Sequence, residues 1–262
     1  MTAFRHELHF ADAGEAADLA AFLARLIHYD RAAAVRLQAG GGVLAVFGRP
    51  PSFEVLAIRT ARLEAVVTRD AGTPGGPGAL DTTVSAGQFA DALDAAGSGR
   101  TTPGASRGLT VAVPDAVTGP PWAGLLPPRG GWRRVPGLPG ADEVRRAVAA
   151  AVAEFRARDE ALPEERRTRA ERDRIGHEIW SRTLGDTGLP LRAVHAAQSL
   201  GFLRPARADA AAASGSRGAT ALAPADEPPA LLAAGGWLRL RTPYGSIAVR
   251  TSGLLGLSVT PA

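Results

Sequence analysis

The residues with types and spacings suited to chemistry fall into a few small groups, and most exclude the chemistry they suggest. His177-Glu178 opens like a zinc-protease helix, in which a second histidine four residues after the first completes the ligand set and the glutamate activates water. Position 181 is Ser, so that site is absent. His6 and His9 stand three apart on a segment that reads as a strand, where side chains alternate between faces, so the two rings cannot readily share a metal. Gly40, Gly42 and Ala45 match the dinucleotide-binding fingerprint by letter. Val43-Leu44-Ala45-Val46-Phe47 after them is strand-like, whereas a phosphate needs a helix N-terminus there. The chain has no Lys and no Cys, which removes a Walker loop, a Schiff base, thiol catalysis, disulfides and Cys-based zinc sites. No Gly-x-Ser-x-Gly elbow occurs. The carboxylate pairs Asp159-Glu160 and Glu164-Glu165 sit in highly charged surroundings, where nothing separates their pKa values for acid–base work. No catalytic, metal or cofactor residue is therefore nominated, and a non-enzymatic role is expected.

What remains is arginine. All 30 basic residues are Arg against 26 acids, for a net charge of +4. The sequence pI of about 10.7 overstates the excess, because guanidinium groups stay protonated far above neutral pH. Residues 1–140 carry 13 Arg and 12 acids, residues 141–262 carry 17 and 14, and the stretch from Thr187 onward carries 7 and 3. The basic excess is C-terminal, which favours anionic partners there.

The elements that must hold these arginines follow from periodicity. The 262 residues exceed the usual single-domain size, so two packed units are expected. In the first, over 1–113, Phe4–Phe10 reads as a strand. Asp12 with Glu15 matches a capping-box entry to a helix whose buried stripe is Leu19, Phe22, Leu23, Leu26 and Ile27. Val35 and Leu37, then Gly40-Gly41-Gly42, Val43–Phe47 and Phe53–Leu63 form an antiparallel meander. A strand end at Thr82–Ser85, a short helix over Gln88–Leu93 and a strand at Leu109–Val113 complete it. A Pro/Gly-rich connection over 114–140 holds Trp122 and Trp132, aromatics large enough to need packing partners.

The second unit, 141–262, starts with a helix whose stripe is Val144, Val148, Ala151, Val152 and Phe155. A charged run over Glu164–Arg174 leads to Ile175, Ile179, Trp180 and Leu184, and a short third helix spans about Pro190–Leu200. A mobile loop is expected at about 207–229 from its Ala, Ser, Gly and Pro bias. The chain then ends in strands at Trp237–Thr242, Ser246–Thr251 and Leu254–Val259, as a hairpin or three-stranded meander. The fold class is α+β: an antiparallel α/β unit, then a helical unit with terminal strands.

Three helices, the third short and ending Ser199-Leu200-Gly201-Phe202-Leu203, followed by a two-stranded wing, make residues 141–251 resemble a winged helix-turn-helix domain. Val194, Ala197, Leu200 and Ala193 fall on one side of the third helix, and Arg192, His195 and Ser199 on the other. The resemblance implies double-stranded DNA as partner, with Arg192, His195 and Ser199 facing bases. In the wing, Leu238 and Leu240 alternate with Arg239 and Arg241, and Arg250 follows on the partner strand, so these three would contact phosphates. Residues up to Val113, including Thr83-Val84-Ser85-Ala86-Gly87-Gln88-Phe89-Ala90-Asp91-Ala92-Leu93, resemble in element order one half-repeat of the DNA sliding-clamp fold, which implies a protein-interaction or DNA-encircling ancestry; a protein partner or self-association is a further expectation.

The N-terminus lacks the apolar core of a signal peptide and no run of 18 apolar residues occurs, so a cytoplasmic protein without membrane partners is expected. The leading expectation is a regulatory or architectural DNA-associated protein. The alternatives are an interaction scaffold that docks a protein through the Trp122 and Trp132 segment, and an enzyme whose site is assembled from distant residues.

Overall fold

A computed structural model describes residues 5–70, 73–77, 79–98, 108–204 and 228–251. The chain divides into two compact units, Met1–Leu126 and Pro127–Ala262. The fold class is α+β, with antiparallel strands and a C-terminal meander.

The first unit opens with β1 (Arg5–Phe10) and α1 (Ala13–Tyr29). Asp12 caps α1 by accepting a hydrogen bond from the Gly14 amide at 2.6 Å, which satisfies a donor the first turn leaves open. Ala16, Leu19, Phe22, Leu23 and Leu26 form the buried face of α1. A hairpin of β2 (Ala34–Gly40) and β3 (Val43–Gly48) follows. Its two-residue turn is Gly41-Gly42 with φ of 60° and 77°, a conformation only glycine adopts without steric cost.

Next come β4 (Leu56–Asp70), β5 (Thr73–Pro77), β6 (Leu80–Ser85), α2 (Ala86–Ser98) and β7 (Leu109–Ala112). The ladder β6-β2-β3-β4 is antiparallel throughout. The long β4 pairs β3 over Ala57–Arg62 and β1 over Leu63–Arg69, and β1 pairs β7 on its other edge. Leu8, Phe10, Leu37, Leu44 and Val84 from the strands meet Leu19, Phe22 and Phe89 from the helices in a core almost sealed from solvent. The helix expected over Gln88–Leu93 extends to Ser98. Its Ala-rich end carries helix propensity without the large apolar residues that reveal a period.

In the second unit, β8 (Arg133–Val135) precedes α3 (Ala141–Glu160), α4 (Arg169–Trp180) and α5 (Leu191–Ser199). Thr168 caps α4 by accepting from the Glu171 amide at 3.3 Å. Then come β9 (Ala230–Ala234), β10 (Trp237–Thr242) and β11 (Gly245–Arg250). The order is β8-β9-β10-β11, antiparallel at each step. Gly235-Gly236, with φ of 51° and 76°, turns β9 into β10 by the same device as Gly41-Gly42. The meander expected at the C-terminus is thus β9–β11. Its first strand falls on Ala230-Leu231-Leu232-Ala233-Ala234, a run without β-branched residues that gave no strand signal. The strand expected at Leu254–Val259 lies outside the described residues, as does most of the loop expected at 207–229.

The connection expected over 114–140 is shared between the units. Its first half is fastened to the first unit where the Val117 amide donates to Thr83 O at 2.9 Å and an Arg36 Nη1 donates to Ala123 O. Its second half supplies β8. Among the described residues no helix is long and apolar enough to cross a membrane.

Candidate nucleic-acid interface

Strand alternation decides which side chains share a face of the β8–β11 sheet. The registers place Arg134, Leu232, Arg239 and Ala248 opposite one another across the four strands, with Trp237 and Arg250 in the neighbouring row and Arg241 with Ser246 on the far side. These residues therefore point to one side. Leu231, Leu238, Leu240, Ile247 and Val249 point to the other and are buried.

The helical layer covers that apolar side. A Cβ built on Gly188 would lie 3.9 Å from the Leu238 side chain, and one built on Gly245, at the end of the same apolar row, would lie 2.6 Å from the Phe202 ring. The arginine-bearing side faces away from α3–α5.

The chemistry of this face differs sharply from that of the helices. Residues 141–182 hold 10 Arg and 10 acids, and the structure pairs seven of those arginines with acids. Arg145 bonds Asp142, Arg166 and Arg174 bond Glu171, Arg172 bonds Asp159, and Arg169 reaches Asp173. Arg158 and Arg182 share Glu154 and Glu178. Against these paired helices, residues 228–251 hold Arg239, Arg241 and Arg250 and no acid at all, and β8 adds Arg134 on the same side, whereas Arg133 points to the other side in register with Ala233 and Leu238. With no acid in its own strands this side is locally basic, and Arg134 and Arg250 carry that charge to solvent, whereas Trp237, Ser246 and Ala248 on the same side are buried.

Two of these guanidinium groups sit over indoles. Arg239 lies 5.7 Å from the ring centroid of Trp132, and Arg250 lies 5.7 Å from that of Trp237, within cation–π range. The Trp132 ring is oriented by its own Nε1–H, which donates to Pro128 O at 3.0 Å. Arg239 is half-buried, and burial, followed by the like charge of Arg241, pulls its pKa below the ordinary guanidinium value. Its Nε–H is enclosed and makes no hydrogen bond among the described residues. Arg134 and Arg250 are exposed.

The structure brings Arg239, Arg241 and Arg250 together on one sheet face, with Trp132 beside them, and does not bring the helix residues to that face. Arg192, His195 and Ser199 lie on α5, in the layer that packs against the opposite side, and all three are half-buried. His195 stacks on Trp180, with centroids 4.3 Å apart and planes 18° from parallel, and burial lowers its pKa. The helical wheel placed these three side chains opposite the apolar stripe but could not show that Trp180 of α4 would stack on His195 there. Trp122 belongs to the first unit, half-buried in a 3-10 turn over Pro121–Gly124, whereas Trp132 belongs to the second.

Sequence reasoning missed Arg134 and Trp237 as members of the arginine face. A signal for Trp237 existed, since Trp237, Arg239 and Arg241 alternate with Leu238 and Leu240. None existed for Arg134, because a three-residue strand is too short to show a period. Among the described residues no cluster of three or more His, Asp or Glu could hold a metal ion.

Residues 4–124 match a family described as a domain of unknown function (DUF8010), and residues 127–254 match a second, also described as a domain of unknown function (DUF8185). No curated protein matches the chain. The boundary between the two matched regions coincides with the division of the fold at Leu126 and Pro127.

Proposed function

We propose that this is a non-enzymatic DNA-associated protein whose second unit contacts the phosphate backbone through the arginines of β8–β11. The observation that carries the reading is the contrast in charge pairing within that unit. Seven of the ten arginines over 141–182 pair with acids, whereas the sheet carries four arginines on one side and no acid in its own strands. The exposed guanidinium groups of Arg134 and Arg250 can meet a phosphate, whose oxygens match their planar fork. Contacts of this kind position a protein on DNA without reading sequence.

The test is a DNA titration at several salt concentrations. Each phosphate contact releases counterions, so the logarithm of the affinity should fall linearly with the logarithm of salt, by about 0.9 per contact on duplex DNA. The double variant Arg239→Ala and Arg241→Ala should weaken binding to all sequences alike. Binding that ignores salt, or that the double variant leaves unchanged, would remove the proposal.

A second reading has one observation in its favour. Val117 and Leu125, on either side of Trp122, are 39% and 48% exposed, and with Trp122 they offer apolar surface to a protein partner. Such a contact would respond weakly to salt, so the same titration separates the two.

A further inference from the structure

Resting on the phosphate reading above, we infer that the arginine face of β8–β11 binds a single strand of nucleic acid, with a base stacked on Trp132 and the backbone held by Arg134, Arg239 and Arg250.

Groove entry fits this face poorly. Four strands about 4.8 Å apart span roughly 14 Å from first to last backbone, before side chains are added, whereas a major groove is about 12 Å wide. The helix that resembles a groove reader lies in the layer against the other side of the sheet, with its polar residues half-covered and His195 held by Trp180. A sheet edge that holds the half-exposed Trp132 indole beside the exposed Arg134 is instead suited to stacking. Every base has a π-face, and only an unpaired strand can offer one.

Trp132 fits that role. Its ring is fixed by the hydrogen bond to Pro128 O, flanked by the Arg239 guanidinium, and left half-exposed. A base laid against the indole joins an existing cation–π pair, so little side-chain entropy remains to be lost on binding. Trp237, only 7% exposed, supports Arg250 from below and is not itself a platform. The exposed Arg134 and Arg250 flank the stack and supply phosphate contacts.

The experiment uses the full chain and a fluorescein-labelled oligothymidylate of about 15 nucleotides, near the upper end of common single-strand site sizes, against a duplex of equal length at about 0.1 M salt. The single strand should bind at least about tenfold more tightly than the duplex. Trp132→Ala should lose about tenfold for the single strand, the loss expected for one stacked base, and little for the duplex. Trp132→Phe, which keeps a smaller platform, should stay within about threefold, and should lose much of the tryptophan quenching that the oligonucleotide causes in the wild type. That quenching comparison stands even if Trp132→Ala fails to fold. Equal affinity for both forms, or quenching unchanged in Trp132→Phe, overturns the single-strand inference and leaves the phosphate contacts intact. No binding to either form at about 0.05 M salt overturns the phosphate reading itself.

Discussion

The indole of Trp180 and the imidazole of His195 lie nearly parallel with their centroids 4.3 Å apart, so the end of α4 is joined to the middle of α5 by a ring stack. Burial makes the neutral imidazole the favoured form and lowers its pKa below the ordinary 6.5.

A group that binds protons less readily when folded contributes stability that is complete above its unfolded pKa, and loses it as pH falls from there toward the lowered folded value. The urea midpoint should therefore drop between about pH 7 and pH 5, and the drop should shrink in His195→Phe. The acids of the helical hairpin do not account for a change in this window, because Glu154, Glu171 and Glu178 are held below the usual carboxylate range by their arginines. A midpoint that does not move over this range would show that the stack tolerates the charged ring.

Glu154, Arg158, Glu178 and Arg182 close a ring of alternating charge between α3 and α4, with Arg158 forked onto Glu178 at 2.8 and 2.7 Å and Arg182 forked onto Glu154 at 2.6 and 2.8 Å. Hydrogen bonding from Arg158 brings Glu178 down to about 2. The sign is that of a carboxylate with depressed pKa: its contribution is complete above about pH 4.5 and disappears as pH falls toward 2. Glu178→Gln should melt below the wild type at neutral pH in low salt. The difference should narrow in about 0.5 M salt, where exposed pairs are screened, and again near pH 2.5. A difference independent of both conditions would assign the loss to packing instead.

In the first unit, Arg59 on β4 is buried and its Nη2 donates to Asp18 on α1 at 2.8 Å. A hydrogen bond to a charged group contributes about 1.5–3 kcal/mol. Asp18 is more than a third exposed, so solvent screening brings the contribution below that range, and Asp18→Ala should cost about 1 kcal/mol in chemical denaturation. Asp18→Asn, which keeps an acceptor, should recover part of it. If the two variants were equally unstable, the charge itself would be the contributor.

Gly245 closes the β10–β11 turn under the ring of Phe202, where a Cβ would approach to 2.6 Å. The turn is further held by Thr242 Oγ1, which donates to Gly245 O at 2.9 Å and accepts from the Tyr244 amide at 3.3 Å. Gly245→Ala should destabilise by about 1–3 kcal/mol, through overpacking and through the φ of 150° at this position, where a side chain is strained. Pairing Gly245→Ala with Phe202→Leu should relieve the clash, giving a double-mutant coupling of about 0.5 kcal/mol or more. Additive effects would mean that the backbone conformation, rather than the ring, excludes alanine.

Local chemistry was legible wherever one segment carried its own signal. Asp12 marks the start of α1 because a side-chain acceptor beside an apolar period is a local event. Gly41-Gly42 marks its hairpin for the same reason, since positive φ at two successive residues calls for glycine wherever the strands go. Strands β8 and β9 were not legible: Arg133-Arg134-Val135 and the Ala-rich 230–234 carry too little propensity of their own and are strands through pairing with β10 and each other.

The same division applies to the candidate site. From residue order alone came the C-terminal arginine excess, the alternation of Arg239 and Arg241 with Leu238 and Leu240, and the absence of any acid over 228–251, because charge and period are properties of neighbours along the chain. Only the packed structure decided that Arg134 and Trp132 join that face while Arg192, His195 and Ser199 lie in the layer behind it. Which side of a helix or sheet is covered depends on partners distant in sequence: Trp180 against His195, and Phe202 and Gly188 against the apolar side of β10 and β11. A helical wheel can separate two faces, but burial is settled by whatever long-range contacts close over them.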